Sequence, residues 1–230
     1  MAKRELIDLD LLPEKLRAQL KELAGVKNEE DDEDFEAALS NLVTHHTDLD
    51  DLEDRGVIIL DKEISKKTLA KATHRLLALG LDPTFNDTVQ IILNSPGGDC
   101  DAMWGFIDLI ETSRLHVKTI AMGEICSAAT EIFITGDERV MSENSTAMIH
   151  HYSTMAYGSH YDLLAARKWQ DIEFQKSIRH YLKHSKYNTV EAIEKNVLLR
   201  NDHWLTPQEM KKHGLCEVIL KGKKPRKKKK

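Results

Sequence analysis

The sequence is poor in aromatic residues and cysteine, and it contains no long apolar run. Phe, Trp and Tyr make up 6% of the 230 residues, so a core must rest on aliphatic side chains. Cys100, Cys126 and Cys216 form no CxxC pair, which disfavours a disulfide framework or zinc knuckle and favours a reducing cytoplasm. No stretch approaches the roughly 18 apolar residues of a membrane span, and we expect no membrane partner. The basic residues near the N-terminus precede no apolar segment, so no secretory signal is expected.

Charge is abundant and unevenly placed. Charged residues make up 31% of the chain and hydrophobic residues 41%, with a net charge of −5, which is typical of a soluble globular protein. Residues 29–34 are all acidic and 221–230 are almost all basic. We expect the chain to divide into three regions. They are an acidic, partly helical or mobile extension over 1–50, a folded domain over 51–220 and a disordered basic tail over 221–230. The net acidity disfavours nucleic-acid binding.

Beyond residue 55 the apolar pattern alternates between two periods. Short β-branched or apolar runs predict strands at 57–60, 88–93, 117–122, 139–141 and 147–149. Helical spacing predicts helices at 65–79, 102–112, 128–134, 159–184 and 190–197, with one more capped by Thr206 ahead of Pro207. Strands that alternate with helices predict an α/β fold with a largely parallel sheet.

Two loops at predicted strand ends carry candidate chemistry. In such folds, functional groups lie in loops after the carboxyl ends of strands. The paired glycines of the loop 95–98 permit positive φ, and their N–H groups can face an oxyanion. The loop 123–129 enters a helix at Ser127, where developing negative charge is favoured. Taken singly, an ordinary tight turn and an N-cap serine are the commoner interpretations.

A serine nucleophile requires a base, because its free hydroxyl is weakly nucleophilic. His150 follows a predicted strand, and His151 beside it would point to the opposite face, so only one of them can face Ser127. Asp202 lies just before the last predicted helix and is a candidate for orienting the histidine.

In order and spacing, these segments resemble the proteolytic subunit of the Clp protease family. The matching segments are NSPGGD, GEICSAATEIFITG, SENSTAMIHHYS and NDHWLTPQEMKKHGLCEVI, and the similarity covers about 55–219. The resemblance implies a Clp protease/crotonase-like fold, a superhelix of repeated β-α-β units with a protruding handle helix at 161–184. It also implies a catalytic triad in which Ser127 is the nucleophile, His150 the base and Asp202 the orienting carboxylate.

The same resemblance places the substrate. The N–H groups of Gly98 and Ala128 would form the oxyanion hole. An extended substrate would lie along the glycine-rich loop, with Gly97, Asp99 and Cys100 as substrate-binding residues.

The resemblance further implies assembly and partners. The protein would be a serine endopeptidase that degrades unfolded polypeptides inside two stacked heptameric rings, fed by an AAA+ unfoldase in the cytoplasm. ATP would belong to the unfoldase, and we expect no cofactor or metal in this chain. His180 and His184 have helical metal-ligand spacing, but we expect both on a solvated helix face.

Several residues depart from the family pattern. Ala128 stands where methionine is common, but only its backbone N–H is needed there. Glu131 replaces an apolar residue and, if buried, requires a hydrogen bond or an ion pair. Asp99 and Asp101 put acid beside the cleft, which predicts tolerance of basic substrate side chains. The extension over 1–50 is compatible with a propeptide, an altered gate or an adaptor-binding arm.

Three alternatives stay open. The chain could be a catalytically silent structural subunit of the same assembly, or a crotonase-type enzyme that binds acyl-CoA. The Ser, His and Asp at matching positions disfavour both. The third alternative is an interaction or scaffold protein whose charged ends are binding arms. Loss of function on deleting the ends, but not on changing Ser127, would favour that one.

Overall fold

A computed structural model describes Leu52, 55–153 and 155–222, so the predicted extension and nearly all of the basic tail lie outside the described residues. From Arg55 onward, the described residues belong to one compact unit. The strands in this unit are β1 (Val57–Leu60), β2 (Val89–Ser95), β3 (Val117–Cys126), β4 (Glu138–Ser142), β5 (Thr146–Ile149), β6 (His203–Leu205) and β7 (Val218–Leu220). The helices are α1 (Lys66–Leu81), α2 (Cys100–Thr112), α3 (Ala128–Ile134), α4 (His160–His184), α5 (Val190–Asn196) and α6 (Pro207–Lys212). None of these described helices is long and apolar enough to cross a membrane.

The seven strands form one sheet. Its main path runs β1-β2-β3-β4-β7, and every neighbouring pair on this path is parallel. β5 lies off this path, parallel to the end of β3 and antiparallel to β6. The predicted α/β fold with a largely parallel sheet is therefore confirmed.

β3 changes its partner along its length. Its first part, 118–121, pairs with β4, and its last part, 124–126, pairs with β5. Between them, Gly123 has φ +95°, and a Cβ there would lie 2.4 Å from Asn94 Oδ1. The same oxygen accepts a hydrogen bond from the Glu124 N–H at 3.0 Å. Asn94 and a glycine thus allow the end of β3 to leave β4 and join β5.

The core is mainly aliphatic, as the shortage of aromatic residues predicts. Among its fully buried side chains are Leu76, Ile91, Leu93, Ile125 and Ile132, together with Phe106 and Phe133. α3 is buried at all of its seven positions. Because close packing surrounds it, the backbone at its first residue has little freedom to move.

The long helix α4 has two different halves. It begins after Ser159, whose hydroxyl accepts from the Asp162 N–H in a capping box. The first half, up to about residue 172, is almost wholly exposed, whereas the second half buries Glu173 and Tyr181. The first half of α4 therefore protrudes from the described domain.

The structure corrects three local predictions. β6 and β7 were missed because runs of three residues carry too little periodicity. Ser95, predicted in a turn, is the buried last residue of β2, and its hydroxyl donates to the Lys62 carbonyl at 2.6 Å. The placement of His180 on a solvated face is wrong. It is only 6% exposed, because α4 packs there against α3 and His180 Nε2 lies 3.0 Å from the Glu131 carbonyl oxygen.

Candidate active site

The sheet brings three predicted residues to one edge. The end of β3 pairs with β5 in parallel, and the last residue of β5 pairs with the first of β6 in antiparallel. Ser127 follows β3, His150 follows β5 and Asp202 precedes β6. Since parallel strands end at the same edge and β6 runs the opposite way, all three residues meet there.

The three side chains lie in a row. Ser127 Oγ is 2.8 Å from His150 Nε2, a normal hydrogen-bond distance. His150 Nδ1 is 3.4 Å from Asp202 Oδ1, which is long for a hydrogen bond. The Asp202 side chain is 60% exposed and that of His150 is 26% exposed. The serine–histidine contact is formed, and the carboxylate stands beside it in a wetter position.

Ser127 has an uncommon backbone conformation. With φ 53° and ψ −122°, it is the one non-glycine residue of positive φ in the described part of the chain. Its N–H donates to the Met148 carbonyl at 2.8 Å, and its carbonyl accepts from the Thr130 N–H at 2.9 Å. Its hydroxyl makes no capping bond to α3. The ordinary N-cap interpretation therefore does not hold, and the hydroxyl is directed to His150 instead.

Thr130 is a positioning residue that the sequence analysis missed. It is fully buried on α3, and its hydroxyl lies 2.9 Å from the Ile125 carbonyl and 3.1 Å from the Met148 carbonyl. These carbonyls belong to β3 and β5, the two strands that present Ser127 and His150. A threonine inside a buried helix is the signal in the sequence, because a buried hydroxyl requires a partner.

The glycine-rich loop packs directly on the serine segment. Gly97 has φ +91°, and a Cβ there would lie 2.4 Å from the Cys126 carbonyl oxygen and 2.9 Å from Ser127 Cβ. Only glycine fits that approach, because carbon atoms do not come so close without a bond. The tight turn predicted at this loop is thus also a contact with the candidate nucleophile.

Two N–H groups beside this contact are available to a ligand. Gly98 forms a parallel bridge with Ile64, in which the bonds are made by its neighbours Gly97 and Asp99. The N–H of Gly98 itself therefore points away from Ile64. Ala128 is the first residue of α3, where an N–H has no acceptor within the helix. Two backbone donors thus flank Ser127, one from each loop.

The other predicted substrate-binding residues have local roles. Asp99 Oδ1 accepts from the Ala102 N–H at 2.9 Å and caps α2, so its carboxylate is engaged at the helix start. Burial, with the nearby charges of Glu131 and other carboxylates, raises the pKa of Cys100 to about 11. Its thiol therefore stays protonated and weakly nucleophilic near neutral pH.

His151 faces away from the serine. Its ring stacks on Phe174 of α4, with centroids 5.7 Å apart, and burial lowers its pKa. Neighbouring residues at the end of β5 thus point to opposite sides, as expected.

Glu131 lies on α3 behind the candidate nucleophile. Its Oε1 accepts from Ser177 Oγ at 3.0 Å, which confirms the expected partner for one oxygen. Its Oε2 is buried and has no partner among the described residues. Burial raises the pKa of Glu131 to about 7, despite the Ser177 hydrogen bond.

A family model described as Clp protease matches residues 42–223. The chain belongs to the Clp protease family. The match covers most of the sequence and includes both loops, His150 and Asp202. Membership supports a serine protease of the Clp type, and so a protein of the hydrolase class.

Two relatives agree with this assignment. A protein described as "ATP-dependent Clp protease proteolytic subunit" from Paracoccus denitrificans is 25% identical over 170 residues, 73% of this chain and 83% of that protein. A solved structure of a ClpP1 mutant from Listeria monocytogenes superimposes with a TM-score of 0.66 at 23% identity, covering 75% of this chain and 95% of that one. The Clp protease fold predicted from the sequence is thereby confirmed.

Proposed function

We propose that this Clp family protein is a serine endopeptidase that hydrolyses unfolded polypeptides with a Ser127–His150–Asp202 triad. The 2.8 Å contact between Ser127 Oγ and His150 Nε2 carries this proposal. The hydroxyl is hydrogen-bonded to an imidazole and lies at a helix N-terminus, with two backbone N–H donors beside it. Acyl transfer requires a nucleophile, a base and oxyanion donors of this kind.

The proposed reaction has two halves. Ser127 Oγ attacks the scissile carbonyl while His150 Nε2 takes its proton, and the oxyanion accepts hydrogen bonds from the Gly98 and Ala128 N–H groups. His150 then protonates the leaving amine, and the C–N bond breaks to give an acyl-enzyme. Water, deprotonated by His150, releases the acyl group. Asp202 stabilises the imidazolium in both halves.

For the substrate we propose an extended peptide lying along the glycine-rich loop, as an added strand would. Such binding uses mainly hydrogen bonds to the substrate backbone. It therefore requires an unfolded, extended chain and discriminates little between side chains. Asp99 and Asp101 are both exposed near the loop, and Asp99 also caps α2. Tolerance of basic substrate side chains would then depend on these two carboxylates.

For the assembly we propose stacked heptameric rings. The protruding half of α4 exposes large apolar side chains, namely Tyr161, Leu163, Leu164, Trp169 and Ile172. Several large apolar side chains left in solvent on one element are typical of an interface in soluble proteins. An AAA+ unfoldase would deliver substrates and use the ATP, with no cofactor in this chain and a cytoplasmic location.

A fluorophosphonate probe tests the nucleophile directly, because it reacts with activated serines. We expect the assembled protein to be labelled and Ser127→Ala to lose all labelling. Ser153→Ala is the matched control: it removes an exposed hydroxyl three residues beyond His150 and is expected to label normally.

The other outcomes separate the alternatives. Undiminished labelling of Ser127→Ala would reject Ser127 as the nucleophile. An assembled protein that is not labelled at all would favour the catalytically silent structural subunit. The silent subunit is retained as a second candidate because His150 Nδ1 and Asp202 Oδ1 are 3.4 Å apart and the Asp202 side chain is exposed.

A further inference from the structure

Outside the triad, two histidines and a glutamate meet where α2 and α4 pack together. Glu111 lies in the last turn of α2, and His180 and His184 lie one turn apart on α4. One ligand atom from each lies within 4.8 Å of the other two. Glu111 Oε1 is 3.2 Å from His184 Nε2, and the two imidazole centroids are 4.6 Å apart. An open cavity of about 300 Å³ adjoins the group, so solvent reaches it.

The fold presets His180 as a ligand. Its Nε2 lies 3.0 Å from the Glu131 carbonyl oxygen and 3.3 Å from Thr135 Oγ1. A carbonyl can only accept, so Nε2 carries the proton and Nδ1 keeps a lone pair. Metal-binding histidines are commonly oriented by such a bond from the other ring nitrogen to a backbone carbonyl.

The other two groups need a proton shift before they can bind a metal. Glu111 Oε1 accepts from His184 Nε2 at 3.2 Å, so this nitrogen carries the proton in the metal-free structure. A change of tautomer moves that proton to Nδ1 and frees the Nε2 lone pair. The group then offers two imidazole nitrogens and one carboxylate oxygen.

We propose that Glu111, His180 and His184 form a binding site for a divalent transition-metal ion, with Zn²⁺ as the best-fitting ion. Imidazole nitrogen suits Zn²⁺, whereas Mg²⁺ and Ca²⁺ prefer oxygen ligands. Water from the adjoining cavity completes a tetrahedral shell around three protein ligands. Bonds of about 2.1 Å place tetrahedral ligands roughly 3.4 Å apart, and no two ligand atoms here are more than 4.8 Å apart, so each pair must approach by at most about 1.4 Å.

Lys183 competes with the metal. Its Nζ lies 2.8 Å from Glu111 Oε1, and its side chain is 58% exposed. Zn²⁺ binding requires this ammonium group to swing into solvent, which the exposed side chain permits. Lys183 thus lowers the affinity of the site, although it stabilises the metal-free structure.

Occupancy would link α2 to the base of the protruding helix α4. Through the bond between His180 and the Glu131 carbonyl, the link also reaches α3, which carries the candidate nucleophile at its start. A ligand that binds only the folded state raises the unfolding temperature. The site is independent of the proposed peptidase chemistry, so its test needs no activity assay.

The test measures metal binding by the full chain after treatment with a chelator. We expect Zn²⁺ to bind and raise the unfolding temperature, Mg²⁺ to do neither, and Co²⁺ to give the visible absorption of a tetrahedral ion. His184→Gln and Glu111→Gln should each bind one Zn²⁺ fewer than the unaltered chain and lose the Co²⁺ band. His160→Gln, at an exposed position, is the matched control and should keep both. Differences in stoichiometry are compared because His45 and His46 also offer imidazoles.

Lys183→Ala is a variant for which the proposal predicts stronger Zn²⁺ binding instead of weaker binding. If Lys183 competes with the ion, its removal should tighten Zn²⁺ binding about two- to fivefold, the factor that one partly exposed ion pair corresponds to. A purely structural ion pair predicts no such gain. Unchanged stoichiometry in His184→Gln and Glu111→Gln would overturn the proposal, and so would weaker binding by Lys183→Ala.

Discussion

At the residue scale, two residues with positive φ touch each other, and only Ser127 is strained by that conformation. Ser127 and Gly97 both have positive φ, and the glycine backbone lies against the serine Cβ. Such conformations persist only where the surroundings hold them. Here the Met148 carbonyl holds the Ser127 N–H, and the fully buried α3 fixes the chain that follows. The strain is therefore located where the proposed reaction would use it.

Gly97→Ala tests that contact. An added Cβ would lie 2.4 Å from the Cys126 carbonyl oxygen and would also hold an unfavourable φ, so the loop must move away from Ser127. We expect labelling by the fluorophosphonate probe to slow roughly 10²-fold, as misplacement by about 1 Å does in other active sites.

The matched control for that change is Gly105→Ala. A Cβ at Gly105 meets no atom within 4 Å apart from its chain neighbours and the backbone of its own helix, and the residue lies inside α2. This substitution should leave labelling unchanged and stabilise the fold by about 0.5–1 kcal/mol. Equal labelling of Gly97→Ala and the unaltered protein would mean that the loop does not position the site.

Glu131 makes the fold less stable as the pH rises toward neutrality. Burial raises its pKa from 4.5 to about 7, so between these values the folded state holds a proton that the unfolded state has lost. The free energy of unfolding therefore falls as pH rises from about 4.5 to about 7. The total loss is roughly 3 kcal/mol.

Glu131→Gln should remove this loss, because an amide stays neutral at every pH. In urea denaturation with a chelator present, the variant should be more stable than the unaltered protein at about pH 8 but not at about pH 5. Glu194→Gln, an exposed position on α5, should show the unaltered pH dependence. If the free energy of unfolding of Glu131→Gln and of the unaltered chain changed with pH in the same way, the raised pKa of Glu131 would be contradicted.

At the element scale, local pattern identified most helices and strands. Ser65, Ser159 and Thr206 each cap a helix with the geometry that their positions suggest, and Pro207 occupies a first helical turn. The two three-residue strands escaped notice. β6 exists because it pairs with β5, and β7 because it pairs with β4, both of which are distant in sequence.

The two halves of α4 differ in burial, and the sequence of the helix alone does not show this difference. Its sequence mixes apolar with charged and polar residues along its whole length, and this mixture led to the expectation of a solvated face for His180 and His184. The second half is nevertheless buried, and its Glu173 accepts hydrogen bonds from Trp104 at 2.8 Å and from Lys176 at 2.6 Å. A buried charge is tolerated where partners satisfy it, and those partners come from packing.

At the scale of the whole molecule, the apolar face on the protruding half of α4 remains unexplained by a single chain. Leu164→Asp would place a charge on that face. If the face joins two rings, we expect light scattering to show the molar mass of a single ring instead of a stacked pair. The cost is the burial of an unpaired carboxylate in the interface.

Leu81→Asp supplies the comparison for this experiment. Leu81 is an exposed leucine at the end of α1, so the same change is made away from α4. It should leave the mass unchanged. An undiminished mass for Leu164→Asp would show that this face does not hold the assembly together.

By itself, the sequence determined the alternation of strands and helices, the two glycine-bearing loops and the candidate Ser127, because these depend on neighbouring residues. Tertiary structure decided what depends on distant ones. The strand pattern left His150 and His151 open, the family resemblance named His150, and the tertiary structure placed His150 against Ser127. The tertiary structure alone turned Thr130 toward two strands. It also buried His180 and brought Glu111 to His184 across 73 positions of chain. Burial and pairing are set by which element packs on which, and no local period encodes that choice.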